Sequence, residues 1–357
     1  MSQRLALLLG TPKGVFILDG DEGRRDWRLR GPLCDGWPIH DVSVEPGSGA
    51  LLAGGGSPWF GPAVWRSDDL GETWTHSSEG LTYGDDGPKV KTVWSVTAAH
   101  GTVYAGVEPA GLFRSADGGR TWQHVSGLRD HPSRPSWQPG AGGLILHTIV
   151  PHREDPDRMW VGASAVGVFE TIDGGATWGT RNRGVRADFH PEKYPEFGQC
   201  VHKFVMAADG GGHLYQQNHC GVYRSSDGGA QWEEITAGLP SQFGFVMAAH
   251  PRDPLTTWVI PLTEPEQGRL MPDASAAVWR THDGGDSWLR SGAGLPQHGA
   301  YLGVLREAMA VDRLDPVGVY FGTSTGQVYG SADEGRTWSL VADHLPPIWS
   351  VEAAVVG

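Results

Sequence analysis

Short apolar runs punctuate this chain at nearly even intervals, and each runs into the same kind of polar turn. Gly14–Leu18, Gly111–Arg114 and Gly221–Arg224 are such runs. Segments this short, rich in β-branched and aromatic residues and bounded by glycine and aspartate, predict strands rather than helices. The turn that follows has the frame Ser/Thr-x-Asp-x-Gly-x-(Thr/Ser/Gln)-Trp. It reads Ser225-Ser226-Asp227-Gly228-Gly229-Ala230-Gln231-Trp232 in one place and recurs at Ser67–Trp74, Ser115–Trp122, Thr171–Trp178, Thr281–Trp288 and Ser331–Trp338. A worn seventh instance places Asp21-Glu22-Gly23 before Trp27. Successive tryptophans (27, 74, 122, 178, 232, 288 and 338) fall 47 to 56 residues apart. A period of this size means a radial or solenoidal array.

Asp-Gly-Gly between two strands is a hairpin signal, because glycine supplies positive φ and aspartate bonds its own turn backbone. The closing tryptophan is expected to pack between neighbouring sheets. Seven units of about 51 residues fit an all-β fold, a seven-bladed β-propeller of four-stranded antiparallel blades, in one domain over 1–357. Strands at Leu5–Leu9, Gly14–Leu18 and Trp27–Arg30 leave the first blade without its innermost strand. Ile348–Val356 resembles an internal innermost strand, Val93–Ala99, so the C-terminal strand is expected to complete that blade and remove open sheet edges. The other inner strands are expected at Ile39–Glu45, Leu144–Pro151, Val201–Ala208, Phe243–Ala249 and Val304–Val311. The long connections Asp130–Gly143, Asn182–Gln199, Pro261–Ala277 and Ser291–Gly303 then share one face, which marks it as the working face.

The repeated frame resembles the Asp-box, or BNR, repeat of sialidases, sortilin-like receptors, xyloglucanase-type glycosidases and photosystem assembly factors. The resemblance covers nearly the whole chain. It implies the propeller scaffold and leaves the chemistry open, since these relatives share a fold and not an activity. The Arg-Ile-Pro motif that sialidases carry is absent. Tyr301 and Glu307 exist, but the early arginines Arg4, Arg24 and Arg25 fall in other strands or a turn. Xyloglucanase-type enzymes place two propellers around a cleft, and this chain has repeats for one.

Charge narrows the partners. The chain has 28 Lys and Arg against 41 Asp and Glu, a formal net charge of −13. That argues against nucleic acid or an anionic membrane, which need a basic face. The apolar run after Arg4 is too short for a signal core or a span, so a cytoplasmic location is expected. Three cysteines are too few for a disulfide scaffold.

Candidate chemistry gathers where inner strands leave the loop-bearing face. Aligned on their downstream ends, the inner strands give His40, His147 and Glu307, and His202 lies two residues before the aligned Phe204 on the same strand face; together they offer three imidazoles and a carboxylate, which one Zn, Fe or Cu ion would accept. Glu307, His202 and Glu108 are the candidate catalytic groups. Gln216-Gln217-Asn218-His219-Cys220 replaces the small residues that other blades carry, such as Ala163-Ser164-Ala165. Gln217, Asn218 and His219 are therefore expected to contact substrate, with Arg306, Trp94 and Trp349. Cys200 is expected near Cys220, as a Cys/His zinc site, a disulfide or unrelated buried thiols. The favoured function is an enzyme, a hydrolase or lyase acting on a small-molecule or glycan substrate at the channel mouth. The alternative is a non-catalytic scaffold that binds a protein or glycan through the loop aromatics Trp59, Phe60, Trp137, Phe189, Tyr194 and Phe197.

Overall fold

A computed structural model describes residues 4–356. Twenty-eight strands form seven four-stranded antiparallel sheets arranged as a ring of blades. Blade one holds Arg4–Thr11, Gly14–Asp21 and Trp27–Leu33, and its innermost strand is Ser350–Val356 from the far end of the chain. That strand pairs antiparallel with Arg4–Thr11 in unbroken register from Gly10 against Ser350 to Arg4 against Val356. Arg4–Thr11 is buried from Leu5 onward, so closure covers an apolar edge that would otherwise face water.

Blades two to seven follow in chain order, each from inner to outer strand. Their inner strands are Ile39–Val44, Thr92–Ala99, Leu146–Pro151, Val201–Met206, Gly244–Ala249 and Met309–Val311. The seventh is shorter than its apolar pattern predicts. Residues 304–308 leave the ladder, and Glu307 instead bridges in parallel to Ser350 of blade one. Blade seven thus meets the chain's last strand through backbone rather than side-chain packing alone, since Val351 N–H donates to the Glu307 carbonyl at 2.8 Å.

The repeated turn is a closed hydrogen-bond unit. In blade four the Thr171 hydroxyl donates to Asp173 Oδ1 and accepts the Gly175 N–H. Asp173 accepts the Thr177 N–H on Oδ1 and its hydroxyl on Oδ2. The Thr177 hydroxyl is the main reason the Asp173 carboxyl titrates down near 2. Blades two, three, six and seven repeat these bonds with Asp69, Asp117, Asp283 and Asp333, so the frame organises its own turn and points outward, away from the channel. The tryptophan N–H donates to a carbonyl of its own turn in blades two and four, Gly71 for Trp74 and Gly175 for Trp178, and to the preceding blade in five, six and seven, at the Arg181 and Ile235 carbonyls and the Ser291 hydroxyl.

The worn turn of blade one does different work. Arg24 stands where the others have this glycine, at φ 57°, and its carbonyl still accepts the Trp27 N–H. Its guanidinium reaches blade seven and binds Asp312 through two bonds of 2.7 and 2.9 Å. Asp312 is fully buried and also accepts the Tyr320 hydroxyl and the Gly318 and Leu314 N–H groups. Breaking a buried pair from one side leaves an uncompensated charge, at a cost of about 3–5 kcal/mol. Arg24→Ala is therefore expected to lower Tm by several degrees, and Asp312→Asn combined with it to recover part of the loss; an unchanged melting curve for Arg24→Ala would remove this clasp from the account of closure.

Candidate functional site

The inner strands carry an irregularity that sets the site. In five blades one extra inner-strand residue faces the paired strand, a β-bulge. The bulged positions are His40, Trp94, His147, His202 and the Phe245–Val246 pair. Four of these blades turn an aromatic ring from this position into one cavity of about 770 Å³ at the channel mouth, His40, Trp94, His202 and Phe245. The size falls in the range of small-molecule sites.

The cavity draws on most of the ring. From blades one to three come Trp349, His40 and Trp94, stacked in that order with His40 in the middle. Centroid separations are 4.8 Å to Trp349 and 4.1 Å to Trp94. The sandwich strips water from the imidazole, and burial pulls its pKa down to about 4, so it is neutral at pH 7. From blades five to seven come Cys200, His202, His219, Phe243, Phe245, Arg269, Arg306 and Glu307. Arg306 lies 5.6 Å from the Phe245 ring centroid, and Arg269 lies 5.8 Å from those of both Phe243 and Phe245. The connections 136–142 and 189–198 complete the rim, so the cavity opens on the face that bears the long loops.

Below the cavity the channel is closed by charge. Lys203 of blade five donates to Glu307 Oε2 of blade seven. Glu307 Oε1 is buried without a hydrogen-bond partner. Asp41 of blade two and Glu352 of blade one interact with the same lysine. Burial works against the Lys203 charge, but Glu307 and Asp41 outweigh it and its pKa is raised. Burial pushes the Asp41 carboxyl well above the usual carboxylate range, with Glu307 adding to it, although Asp41 accepts the Val96 N–H at 2.8 Å. Glu352 is half-buried on the closing strand, and burial raises its pKa to about 7. The sequence reading did not bring Asp41 or Glu352 to this cluster; at Asp41 the preceding bulge shifts strand phase by one residue, and a bulge has no local signature in the chain.

The expected four-ligand metal set does not form. His147 is turned between blades four and five, its Nε2 3.1 Å from the Val201 carbonyl and its Nδ1 2.9 Å from the Thr148 hydroxyl. His40 is held in its stack and Glu307 by Lys203. Glu108 lies outside the cavity, ion-paired to Lys91 at 2.7 Å and accepting the Trp94 N–H. Gln217 and Asn218 are fully buried in the sheet rather than turned to a ligand. Gln217 faces Lys203, where blades three and four put Gly106 and Gly162, and its amide fills the interblade space by donating to the Asn218, Gly221 and Gln242 carbonyls. Asn218 is bonded to Gln216 Oε1 and the Cys220 N–H. Cys34, Cys200 and Cys220 are all free thiols. Of the loop aromatics, Trp137, Phe189 and Phe197 line the cavity, whereas Trp59 is 93% exposed.

Comparison with known proteins places the architecture. No family model matches the chain. A probable oligoxyloglucan-reducing end-specific xyloglucanase of Neosartorya fischeri is 23% identical over 97% of this chain and 43% of its own length. The chain thus spans under half of the curated relatives it matches. The GH74 xyloglucanase of Xanthomonas campestris superposes with TM-score 0.64 at 17% identity, covering 95% of this chain and 52% of that one. YCF48 of Cyanidioschyzon merolae superposes with TM-score 0.54 at 15% identity, over 85% and 84%. These likenesses are to the fold, a seven-bladed β-propeller of four-stranded blades. Among the described residues no helix is long and apolar enough to cross a membrane.

The channel cluster has a pH signature. Glu352 titrates near 7 when folded and near 4.5 when unfolded, so the folded state holds the extra proton between these values. Stability from this group is therefore present below pH 4.5 and lost as pH rises through 7. Glu352→Gln is expected to raise stability at pH 8 by about 1–3 kcal/mol relative to its effect at pH 4.5. Denaturant melts at both pH values measure this, and an equal effect at both would show that Glu352 carries no such shift.

Proposed function

We propose that this propeller is a glycan-acting hydrolase that binds a sugar-like substrate in the mouth cavity, with Glu307 as its proton-transferring group. The observation that carries the reading is Glu307 Oε1, a buried carboxylate oxygen without a protein partner at the edge of an aromatic-walled cavity. Lys203 occupies the other oxygen and fixes the carboxylate's orientation. The Trp94–His40–Trp349 stack offers flat apolar surface of the kind on which sugar rings stack, and Arg269 and Arg306 offer donors for hydroxyl or anionic substituents. Neutral His40 adds polarity without charge.

Glycosidases work with two carboxylates, one on each side of the scissile bond. Glu307 supplies one; Asp41, whose raised pKa suits an acid, is the nearest in sense to a second and lies deeper in the channel. The xyloglucanase names of the relatives support a glycan substrate; the matched stretch is 43% and 38% of those proteins.

The test is hydrolysis of a panel of aryl glycosides and xyloglucan oligosaccharides. Glu307→Gln is expected to lower kcat by about 10²–10⁴-fold with KM little changed, the usual weight of one acid–base group. Trp349→Ala is expected to raise KM with a smaller effect on kcat. Full activity of Glu307→Gln, with its fold checked by circular dichroism, would remove the glutamate from the chemistry. Oligosaccharide binding by the wild type without turnover would reduce the reading to a glycan-binding propeller.

A further inference from the structure

Cys200, His202 and His219 stand together on blade five, with one potential ligand atom of each within 4.8 Å of the others. Their backbone positions explain why. Cys200 immediately precedes the strand Val201–Met206, and His202 is the bulged residue of that strand. His219 sits in the turn after Leu214–Asn218 and continues its register, its N–H donating to the Cys200 carbonyl at 2.9 Å, so the two are cross-strand neighbours. The bulge at His202 turns its ring back over this pair.

The imidazole of His202 is already oriented. Its Nδ1–H donates to the Gly244 carbonyl at 2.6 Å, which leaves Nε2 as the bare nitrogen, 3.6 Å from Cys200 Sγ. A backbone carbonyl behind the ring is the usual outer partner of a metal-binding histidine. The separation also fits. Tetrahedral bonding at ~2.3 Å to sulfur and ~2.0–2.1 Å to nitrogen places the two ligand atoms ~3.6 Å apart. Among the described residues the His219 ring makes no hydrogen bond, and it packs edge-on to Phe189, His202 and Phe243, which leaves its nitrogens uncommitted.

We propose that Cys200, His202 and His219 bind one zinc ion whose fourth position opens into the mouth cavity. All three residues line that cavity, so an exchangeable water or a ligand atom completes the tetrahedron, as in open rather than structural zinc sites. Two histidines and a cysteine also suit copper when a long thioether ligand completes the set. No methionine lines this cavity, which favours zinc. The set differs from the one expected from inner-strand alignment and shares only His202 with it.

The assignment is independent of the hydrolase reading. Protein produced without a polyhistidine tag in zinc-supplemented medium, then dialysed, is expected to retain about one zinc per chain by plasma mass spectrometry. Cys200→Ser and His219→Gln should each lower this at least tenfold; His219 lies in a half-exposed turn, so its variant is expected to fold. Cys220→Ser, one residue away but with its buried thiol outside the cavity, should keep the metal, as should Glu307→Gln. Cobalt added to metal-free protein should give a thiolate-to-cobalt absorption that Cys200→Ser abolishes. Wild-type protein without zinc, zinc retained by folded Cys200→Ser and His219→Gln alike, or stoichiometric copper with intense visible colour would each overturn the proposal.

Discussion

One extra residue in the inner strand of five blades governs this molecule's interior. An ordinary inner strand alternates its side chains between the two neighbouring blades and gives little to the axis. A bulge leaves one residue unpaired and bends the strand, so a ring can leave the blade interface and enter the mouth. His40, Trp94, His202 and Phe245 do this, and the residues after two of them, Asp41 and Lys203, reach the bore. The aromatic cavity and the charged plug beneath it are two consequences of the same irregularity.

The plug depends in turn on ring closure. Lys203 binds Glu307 and is held by Asp41 and Glu352, so four blades meet through one ammonium group. Two of the carboxylates flank the seam where the last strand joins blade one. Glu307 is tied there by backbone through Ser350 and Val351, and Glu352 belongs to the closing strand itself. Arg24 and Asp312 clamp the same seam from the hairpin side. Stability and site geometry are therefore linked at one junction. Elsewhere the repeated turns also tie blade to blade, since Arg66 donates to the Gly118 carbonyl, Trp160 to that of Gly228 and Arg224 to that of Gly284.

Blade five departs furthest from the repeat, and its departures are of two kinds. Gln216, Gln217 and Asn218 look like ligand-binding residues in the chain, yet each is buried. Gln217 takes the place of a glycine because its amide spans the gap to blade six with three carbonyl partners. Cys200, His202 and His219 look like scattered polar residues and converge. The difference is position: Gln216, Gln217 and Asn218 lie in a strand buried on both faces, whereas His219 lies in the turn after it and serves the cavity.

The chain by itself determined the architecture. Seven tryptophan-closed turns at a period near fifty, together with the likeness of Trp349 and its neighbours to Val93–Ala99, set blade number, strand order and closure, because hairpin chemistry and period-two burial are local properties. The loop lengths also marked the working face, and the cavity lies there. What the tertiary structure alone decided is which side chains meet. His147 and His202 occupy equivalent bulges, but one is spent on the Val201 carbonyl and the other faces the cavity. Glu108 is drawn off by Lys91, and Asp41 is brought to Lys203 from a blade more than 150 residues distant in the chain. Contacts across a ring are set by blade tilt and by a bulge with no sequence mark of its own, so their partners became visible only once the circle was closed.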